Sequence, residues 1–425
     1  MENKGEYMKT NKKLYPVALL SAAVVLFLLL ISSVASASIT ETKITTHKKA
    51  IPGCDINGNT IVWTDLRGGN ADIYIYDLVT KIQLRTTNQS AQYEPAVYGS
   101  KVVWTDERNG YPAIYLQDLA TRKQTRLTTT GRAMAPDIYG NRIVWMGSSS
   151  VSPDVDGDDY FNIYMYDLST NKKTLISNTG AAKEPTIYDN KIVWAGGNSG
   201  RYDIYDGKED IYMYDLSTKK ETKITTSGSA SSPSIYGNRI VWEDWRNGNY
   251  DIYMYDLTTK KETQITTNML EQMSPDIYGN SVVWDDGRSG WQDIYAYDLT
   301  TKQQIHAITR YNQQAPKIYN NKIVWLNVSG DEGEGDIILG TISYLPVAGF
   351  TATPITGIHP LNVQFTDKST DEYYYSWNFG DKSSLSTLEN PGHKYANAGK
   401  YTVTLTVKNA AGSNAMTKSG YITVK

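Results

Sequence analysis

A self-similar unit recurs through residues 39–345 and sets the limits on how this chain can fold. Each copy carries one tryptophan at the same place, and successive tryptophans lie 41, 41, 49, 48, 42 and 41 residues apart. A unit of this length cannot bury its apolar face alone and must pack against its neighbours. The sequence therefore predicts a closed repeat of seven units, anchored by Trp63, Trp104, Trp145, Trp194, Trp242, Trp284 and Trp325.

Each unit has the pattern of four short β-strands. The clearest copy, Ser232–Thr267, contains four runs rich in Ile, Val, Tyr, Trp and Thr, separated by turn residues such as Gly-Asn and Arg-Asn-Gly. Runs of this kind predict strands joined by hairpins. Four strands in each unit is the period of a propeller blade. The predicted fold is all-β: a seven-bladed β-propeller at residues 38–345, followed by a small second domain.

The two ends of the repeat predict how the ring closes. The last unit stops after Asp336–Ile342 and lacks a fourth run, whereas Thr40–Thr46, ahead of the first unit, matches the fourth run Lys261–Thr267. We expect this N-terminal strand to complete the last blade. Pairing it there would remove an exposed sheet edge, which is an aggregation risk.

Residues 346–425 have a different pattern and predict an Ig-like β-sandwich. From Tyr401 to Val407, Tyr, Val, Leu and Val alternate with Thr, which is typical of a strand with one buried face. Six or seven short strands in about 80 residues fit a sandwich of this class.

Both parts resemble known families. Ile235–Trp242 (Ile-Tyr-Gly-Asn-Arg-Ile-Val-Trp) and Asp251–Leu257 (Asp-Ile-Tyr-Met-Tyr-Asp-Leu) resemble TolB-like repeats, of the WD40-like or DPP type. Trp377–Lys382 (Trp-Asn-Phe-Gly-Asp-Lys) resembles the Trp-Asp-Phe-Gly-Asp-Gly pattern of PKD domains, with Asn378 and Lys382 as departures. The resemblance implies a spacer or adhesion module, in a layout similar to that of cell-surface proteins of methanogenic archaea.

The N-terminus predicts export. Basic residues precede an apolar run from Val17 to Ile31, interrupted only by Ser21, and Ala35-Ser36-Ala37 provides a small-residue cleavage site. This pattern indicates a signal peptide at residues 1–37, and the run is shorter than the ~20 residues of a membrane span. An uncleaved anchor is the alternative, because residues 34 and 35 extend the run. The expected location is extracellular or at the cell surface, without a membrane span unless the signal is retained.

Net charge and cysteine content limit which partners and which covalent links the chain can have. The formal net charge is −3, so the chain lacks the basic surface that nucleic acid requires. Cys54 is the only cysteine, which excludes an intrachain disulfide. We expect it to be a buried thiol that packs as a small apolar group. The predicted partner is a cell-envelope protein or polysaccharide.

The sequence offers few catalytic groups. It contains four histidines, and their positions in the repeat do not predict a cluster. It also lacks the Gly-x-Ser-x-Gly motif of a hydrolase nucleophile. We therefore expect a non-catalytic surface protein that binds its partner through one propeller face. The alternatives are an extracellular carbohydrate-active enzyme that works with two carboxylates, or a structural component of a surface lattice.

A repeated Asp-x-Arg motif follows the anchor tryptophan in four units. Repetition in several units favours a structural ion pair, with an arginine ring that recognises a polyanion as the alternative. The pairs are Asp65/Arg67, Asp106/Arg108, Asp244/Arg246 and Asp286/Arg288.

Acidic loops interrupt the repeat where its spacing lengthens. Closely spaced carboxylates suit Ca²⁺, which takes oxygen ligands, and a solvated acidic loop is the alternative. Other than Ca²⁺, no cofactor is expected. The predicted calcium ligands are Asp154, Asp156, Asp158 and Asp159, and the predicted ligand-binding residues on the neighbouring unit are Asp203, Asp206, Glu209 and Asp210.

Overall fold

The computed structural model describes residues 38–149, 160–197, 208–307, 312–329, 333–370, 372, 374–409 and 411–425. Every helix or strand in these ranges is a β-strand, which confirms the predicted all-β class. The repeat region folds into four-stranded antiparallel units, numbered 1 to 7 here in the order of their anchor tryptophans.

Units 2 to 6 are separate four-stranded sheets, each in sequence order from the inner to the outer strand. Their strands are β6–β9 (Gln92–Tyr98, Lys101–Asp106, Ala113–Asp118, Gln124–Arg126), β10–β13 (Arg132–Tyr139, Arg142–Ser148, Asn162–Asp167, Lys172–Leu175), β14–β17 (Ala182–Tyr188, Lys191–Gly197, Glu209–Asp215, Lys220–Lys223), β18–β21 (Ala230–Tyr236, Arg239–Asp244, Asp251–Asp256, Lys261–Gln264) and β22–β25 (Gln272–Tyr278, Ser281–Asp286, Asp293–Asp298, Gln304–His306).

The first and last units are joined into one eight-stranded sheet by a single bridge between Ala50 and Gly335. The N-terminal strand β1 pairs antiparallel with β28, Ser38 lying opposite Ser343, and it supplies the fourth strand that unit 7 lacks. Closure by an N-terminal strand is therefore confirmed, although the strand starts two residues before the predicted segment. The strands are β1 (Ser38–Lys43), β2–β5 (Ala50–Asn57, Thr60–Asp65, Asp72–Asp77, Gln83–Arg85) and β26–β28 (Asn312–Tyr319, Lys322–Val328, Gly335–Ser343).

The core of the propeller lies between neighbouring units. Each anchor tryptophan sits in the second strand with at most 1% of its surface exposed, and in units 1 to 6 it stacks on a tyrosine of the third strand, as Trp104 does on Tyr115 at 6.1 Å between ring centroids. Val241 and Ile252 of unit 5 pack in one cluster with Trp284 of unit 6. Both faces of these strands are buried, which is why their sequences do not alternate between apolar and polar residues.

The first strands of the units form a closed inner ring, because β2 contacts both β6 and β26 and each remaining first strand contacts the next. The described loops between second and third strands, together with the described connections between units, lie at one end of this ring, and we call that end the loop face. The hairpins between first and second strands lie at the other end, the hairpin face.

The C-terminal region is a β-sandwich of two sheets, with strand orders β29-β31-β33 and β30-β35-β34-β32. Trp377, Phe365 and Tyr395 are fully buried between the sheets. Lys382, which replaces the turn glycine, adopts a left-handed φ of 67°. The strands are β29 (Phe350–Thr353), β30 (Thr356–Gly357), β31 (Leu361–Asp367), β32 (Tyr374–Asn378), β33 (Gly392–Tyr395), β34 (Gly399–Asn409) and β35 (Gly412–Val424).

Candidate functional site

The inner ring encloses a channel of about 590 Å³. Each first strand contributes the same five positions to its wall, so the chemistry of the channel can be compared unit by unit. The lining segments are residues 53–57, 94–98, 135–139, 184–188, 232–236, 274–278 and 315–319.

A β-bulge near the start of each first strand shapes the loop-face end of the channel. The residue before the strand proline has a left-handed φ, as at Glu94 (53°) and Ser232 (49°), and the strand register shifts at that point. Proline has no N–H to give to the ladder, which favours a bulge at that position. At the bulge, the residue before the proline, such as Glu94, leaves the regular pairing of the strand with its neighbour.

Four carboxylates fix these bulges from the preceding unit. Ala135 N donates to Glu94 Oε2 at 2.8 Å and Ser232 N donates to Glu184 Oε2 at 2.9 Å. Ser274 N donates in the same way to Glu243 Oε2 at 2.7 Å, and Ala315 N to Asp285 Oδ2 at 3.2 Å. We call this group the acidic mouth, defined by Glu94, Glu184, Glu243 and Asp285.

The acidic mouth is poorly neutralised. Lys183 Nζ approaches Glu184 to 4.0 Å, whereas no salt bridge within the described ranges involves Glu94, Glu243 or Asp285. Burial raises the pKa of Asp285 to about 7, and burial also raises that of Glu243. The mouth therefore combines two carboxyl groups whose pKa is raised by burial with the exposed carboxyl groups of Glu94 and Glu184.

Deeper in the channel, three aspartates fasten one unit to the next. Asp55 accepts a hydrogen bond of 2.8 Å from Val97 N. Asp137 does the same for Ile187 N at 2.8 Å, and Asp276 for Ile318 N at 2.8 Å. These carboxylates are held by backbone groups, so their positions are set by the ring itself.

Lys317 is the one basic residue among those that line the channel. Burial lowers its pKa, but the negative charges of Asp276, Asp55 and Asp137 outweigh burial and leave the pKa raised. Burial raises the pKa of Asp55 to about 7. Five carboxyl groups and one ammonium thus line the channel: Asp55, Glu94, Asp137, Glu184, Asp276 and Lys317.

An arc of tyrosines surrounds the hairpin-face end. Neighbouring rings pack between units with centroids 4.4–4.8 Å apart. Unit 1 breaks the arc with Asn57, whose side chain accepts a hydrogen bond from Gly99 N. The arc consists of Tyr98, Tyr139, Tyr188, Tyr236, Tyr278 and Tyr319.

The Asp-x-Arg motif forms a structural ion pair inside each of the four units that carry it. Arg288 Nη2 lies 2.5 Å from Asp286 Oδ2, and its guanidinium covers the ring of Tyr295 at 4.4 Å. The same arrangement holds Arg67, Arg108 and Arg246 against their aspartates. The arginines are therefore engaged within the sheets, as the repetition of the motif predicts.

The predicted ligand residues are only partly covered by the structure. Asp154, Asp156, Asp158, Asp159, Asp203 and Asp206 lie outside the described residues. Asp210 is buried in β16, where it accepts from Thr225 Oγ1 at 2.7 Å and pairs with Lys223 at 2.7 Å. Glu209 pairs with Lys183 at 2.9 Å. These two side chains are thus engaged with neighbouring protein groups. In the described part of the chain, no three His, Cys, Asp or Glu side chains are grouped to hold a metal ion.

The sequence interpretation missed a group of exposed apolar residues on the loop face of units 5 and 6. Trp245 and Trp291 are 45% and 57% exposed, unlike the anchor tryptophans. Their signal in the sequence is a departure from the repeat: Trp245 stands where unit 2 has Glu107, and Trp291 where unit 1 has Asn70.

Comparisons with known proteins support both parts of the architecture. Residues 345–424 match the PKD domain family. The propeller domain of the Trilobed protease from Pyrococcus furiosus is similar, with a TM-score of 0.55, 14% identity, and coverage of 70% of this chain and 94% of that chain. An oligogalacturonate lyase in complex with manganese is similar with a TM-score of 0.51 and 15% identity, and the match covers 72% of this chain and 96% of that chain. For TolB from Acinetobacter baumannii the TM-score is 0.45 and the identity 17%, and the match covers 62% of this chain and 67% of that chain.

These matches correct one prediction. The expectation that the chain is not an enzyme is wrong, because the propeller fold found here is that of a lyase and of a domain of a protease. The propeller fold therefore supplies no reason to set catalysis aside. Across the described ranges, none of the secondary structure is a helix long and apolar enough to cross a bilayer. The PKD domain is typical of extracellular proteins, and the chain combines this domain with a β-propeller.

Proposed function

We propose that this chain is exported and works at the cell surface, where its propeller binds a cell-envelope protein through the loop face. The observation that carries the proposal is the charge of the channel and its mouth. The exposed carboxyl groups of Glu94 and Glu184 supply this charge at the loop-face end, because burial raises the pKa of Asp55, Asp137, Glu243 and Asp285.

Such a surface favours a ligand with amine or guanidinium groups. A cleft lined by one sign of charge concentrates field lines and attracts the opposite charge. Glu94 and Glu184 are already oriented by backbone N–H groups at 2.8 and 2.9 Å, so a charge-assisted hydrogen bond to them needs little reorganisation. Lysine or arginine side chains of a partner protein meet this requirement.

A carbohydrate-active enzyme is the second candidate, and one observation favours it. Burial raises the pKa of Asp55 to about 7, which suits a general acid that works near neutral pH. The channel carboxylates would repel an acidic sugar such as oligogalacturonate, so a neutral or amino sugar is the substrate class to test. Turnover that is lost in Asp55→Asn would favour this candidate over a protein partner.

The binding test uses the mature chain, residues 38–425, and an oligolysine peptide as probe. We expect binding that weakens steeply with added salt, because exposed charge pairs are screened beyond about 8 Å at physiological ionic strength. Glu94→Gln with Glu184→Gln should weaken binding, since the glutamine oxygen still accepts the bulge N–H but the charge is gone. Glu389→Gln, the same change in the sandwich domain, is the matched control.

Three results would contradict the proposal. They are no binding of oligolysine, binding that does not respond to salt, and equal loss in the control variant. Binding of isolated cell envelope by the mature chain, displaced by oligolysine, would extend the result to the natural partner.

Calcium at Asp154, Asp156, Asp158 and Asp159 stays a proposal, because these residues lie outside the described ranges. If a calcium ion orders this loop for binding, a chelator should reduce the fraction of protein bound to the envelope. Asp154→Asn with Asp156→Asn and Asp158→Asn should then remove the effect of the chelator. Binding that ignores both changes would remove calcium from the proposal.

A further inference from the structure

Four large apolar side chains are exposed on the loop face, on the loops of units 5 and 6 and on the connection between these two units. Their exposed fractions are 45% for Trp245, 89% for Met269, 50% for Leu270 and 57% for Trp291. Tyr250 packs edge-on against Trp245 at 5.0 Å and supports that ring from below the surface. We call these four residues the apolar platform.

Hydrogen bonds between loops hold the platform together. The Asn249 amide donates to the carbonyls of Asn268 at 3.0 Å and of Leu270 at 3.3 Å. Tyr250 N donates to Glu271 Oε2 at 2.9 Å, and Gly287 N donates to the Glu271 carbonyl at 2.9 Å. The loop that carries Trp245 and the loop that carries Trp291 are thus both fastened to the connection that carries Met269 and Leu270.

The fold does not require apolar side chains in that connection. Asn268 accepts a hydrogen bond from Leu270 N at 3.0 Å, and Asn88 accepts the equivalent bond from Ser90 N at 2.6 Å. In both places the asparagine of the preceding loop caps the same two carbonyls. Since Gln89 and Ser90 make the same turn, Met269 and Leu270 are not needed for it.

The two tryptophans are equally dispensable for the local structure. Position 245 corresponds to Leu66, Glu107 and Gly287 in other units, and position 291 corresponds to Asn70, Tyr111 and Asn249. An exposed cluster of large apolar groups, rimmed by polar ones, marks an interaction surface on a soluble protein. Tryptophan is also enriched among the residues that dominate binding energy at interfaces.

The rim of the platform is acidic. Glu271 contacts Tyr250 directly, and Glu243 of the acidic mouth follows Trp242 in the same strand that leads to Trp245. Burial raises the pKa of Tyr250, and the charges of Glu243 and Glu271 raise it further against the opposing charge of Lys183. A partner that covers the platform must therefore present positive charge at its edge, and the tryptophan faces can also accept cations.

We propose that the apolar platform, Trp245, Met269, Leu270 and Trp291, docks a polypeptide segment that carries alternating apolar and basic side chains. The apolar side chains contact the platform and the basic ones face Glu271 at its edge. This inference rests on the proposed function and names the kind of segment that the loop face selects.

The chain provides its own reporters for this contact. Of its ten tryptophans, only Trp245 and Trp291 are exposed, while Trp377 and the seven anchors are buried. A water-soluble quencher such as acrylamide should therefore act mainly on these two residues. A bound segment should reduce quenching of the mature chain.

The test compares two probes of equal length and charge: an oligolysine, and a peptide in which leucine alternates with the lysines. We expect the lysine–leucine peptide to bind at least about tenfold more tightly and to protect the exposed tryptophans. Trp291→Asn, and Met269→Gln with Leu270→Ser, restore residues found at the equivalent positions of unit 1. Both variants should lose the tenfold preference while their affinity for oligolysine is unchanged.

The outcomes separate the two proposals. Equal affinity for the two peptides, or a preference that survives in both variants, overturns the docking inference and leaves the proposed function standing. No binding of either peptide overturns both. A neutral oligosaccharide that protects the tryptophans where the peptide does not overturns the choice of a polypeptide as the occupant.

Discussion

The indole Nε1 of Trp242 donates a hydrogen bond of 3.1 Å to Asp244 Oδ2, two residues further along the same strand. Three other units repeat this bond at 2.9–3.0 Å. The aspartate in turn holds the arginine that covers the third-strand tyrosine, as Arg246 does over Tyr253 at 4.2 Å. The anchor tryptophan is therefore both the apolar core of its unit and the first member of a polar chain.

Replacing Trp242 by Phe should show what the hydrogen bond contributes, because unit 7 offers a matched control. The indole nitrogen of Trp325 has no partner among the described residues, since Asn327 occupies the place of the aspartate. Both substitutions remove similar buried volume. We expect Trp242→Phe to lower the free energy of unfolding by about 1 kcal/mol more than Trp325→Phe, measured by urea unfolding. Equal losses would mean that the bond adds nothing to stability.

The repeat made most of the fold predictable, and the departures from it explain what was missed. Strand type, order and closure follow from residues that recur in every unit, so each copy reinforces the others. The channel was not predicted as a site because the repeat position that holds Asp55, Asp137, Asp276 and Lys317 in four units holds Ala96, Thr186 and Ser234 in the others. Only the ring brings them together, through contacts between residues far apart in sequence.

The platform was missed for a related reason. The sequence interpretation weighted the lengthened acidic loops of units 3 and 4, where insertions are conspicuous. Trp245 and Trp291 are single substitutions in loops of ordinary length, and tryptophan in this chain otherwise indicates core. Their exposure depends on which way a loop residue faces, and loop geometry is set by hydrogen bonds such as those of Asn249.

Stability should fall as the pH rises from about 4 to about 8. Burial raises the pKa of Asp55 and of Asp285 from 3.8 to about 7. A carboxyl group whose pKa is raised by folding contributes to the free energy of unfolding. This contribution is complete below the pKa of the unfolded state and is lost as the pH rises through the pKa of the folded state. Carboxyl groups whose pKa is lowered by folding, such as Asp106, lose their contribution to stability as the pH falls, and they do so only below a pH of about 4. Thermal unfolding across this range measures the slope.

Asp285→Asn should flatten that slope. The asparagine oxygen can still accept the N–H of Ala315, but the group no longer titrates. Asp256→Asn is the control, because Asp256 is a partly exposed residue whose pKa is lowered by hydrogen bonds from Thr259 and Thr258, and it should leave the slope between pH 4 and 8 unchanged. The prediction fails if both variants keep the parent slope.

Lys317→Met should destabilise the protein more at pH 8 than at pH 5. The substitution keeps the length of the side chain but removes the cation that faces Asp276, Asp55 and Asp137. At pH 8 these carboxyl groups are left without a counter-charge inside a buried ring, which is costly. At pH 5 Asp55 holds its proton, so part of the cost is avoided. Lys261→Met, on an outer strand, provides the control, and an equal loss at both pH values would argue against the prediction.

A buried carboxylate, Asp336, reinforces the closure of the ring. It accepts hydrogen bonds from Thr45 Oγ1 at 3.1 Å and Lys48 N at 3.0 Å, and Lys43 Nζ lies 3.3 Å away. All three donors belong to the N-terminal segment, whereas Asp336 belongs to β28 of the last unit. This side chain therefore adds side-chain contacts to the strand pairing that joins the two ends of the repeat.

Asp336→Ala should weaken this fastening and lower the free energy of unfolding by about 2 kcal/mol, because the buried hydroxyl of Thr45 and the N–H of Lys48 lose their acceptor. The N-terminal strand should also become the first site of cleavage in limited proteolysis. Glu334→Gln is the matched control, since its pair with Lys49 at 2.5 Å lies at the surface and such pairs contribute about 0–1 kcal/mol. If Asp336→Ala unfolds like the control and its N-terminus stays protected, the strand is held by its pairing with β28 alone.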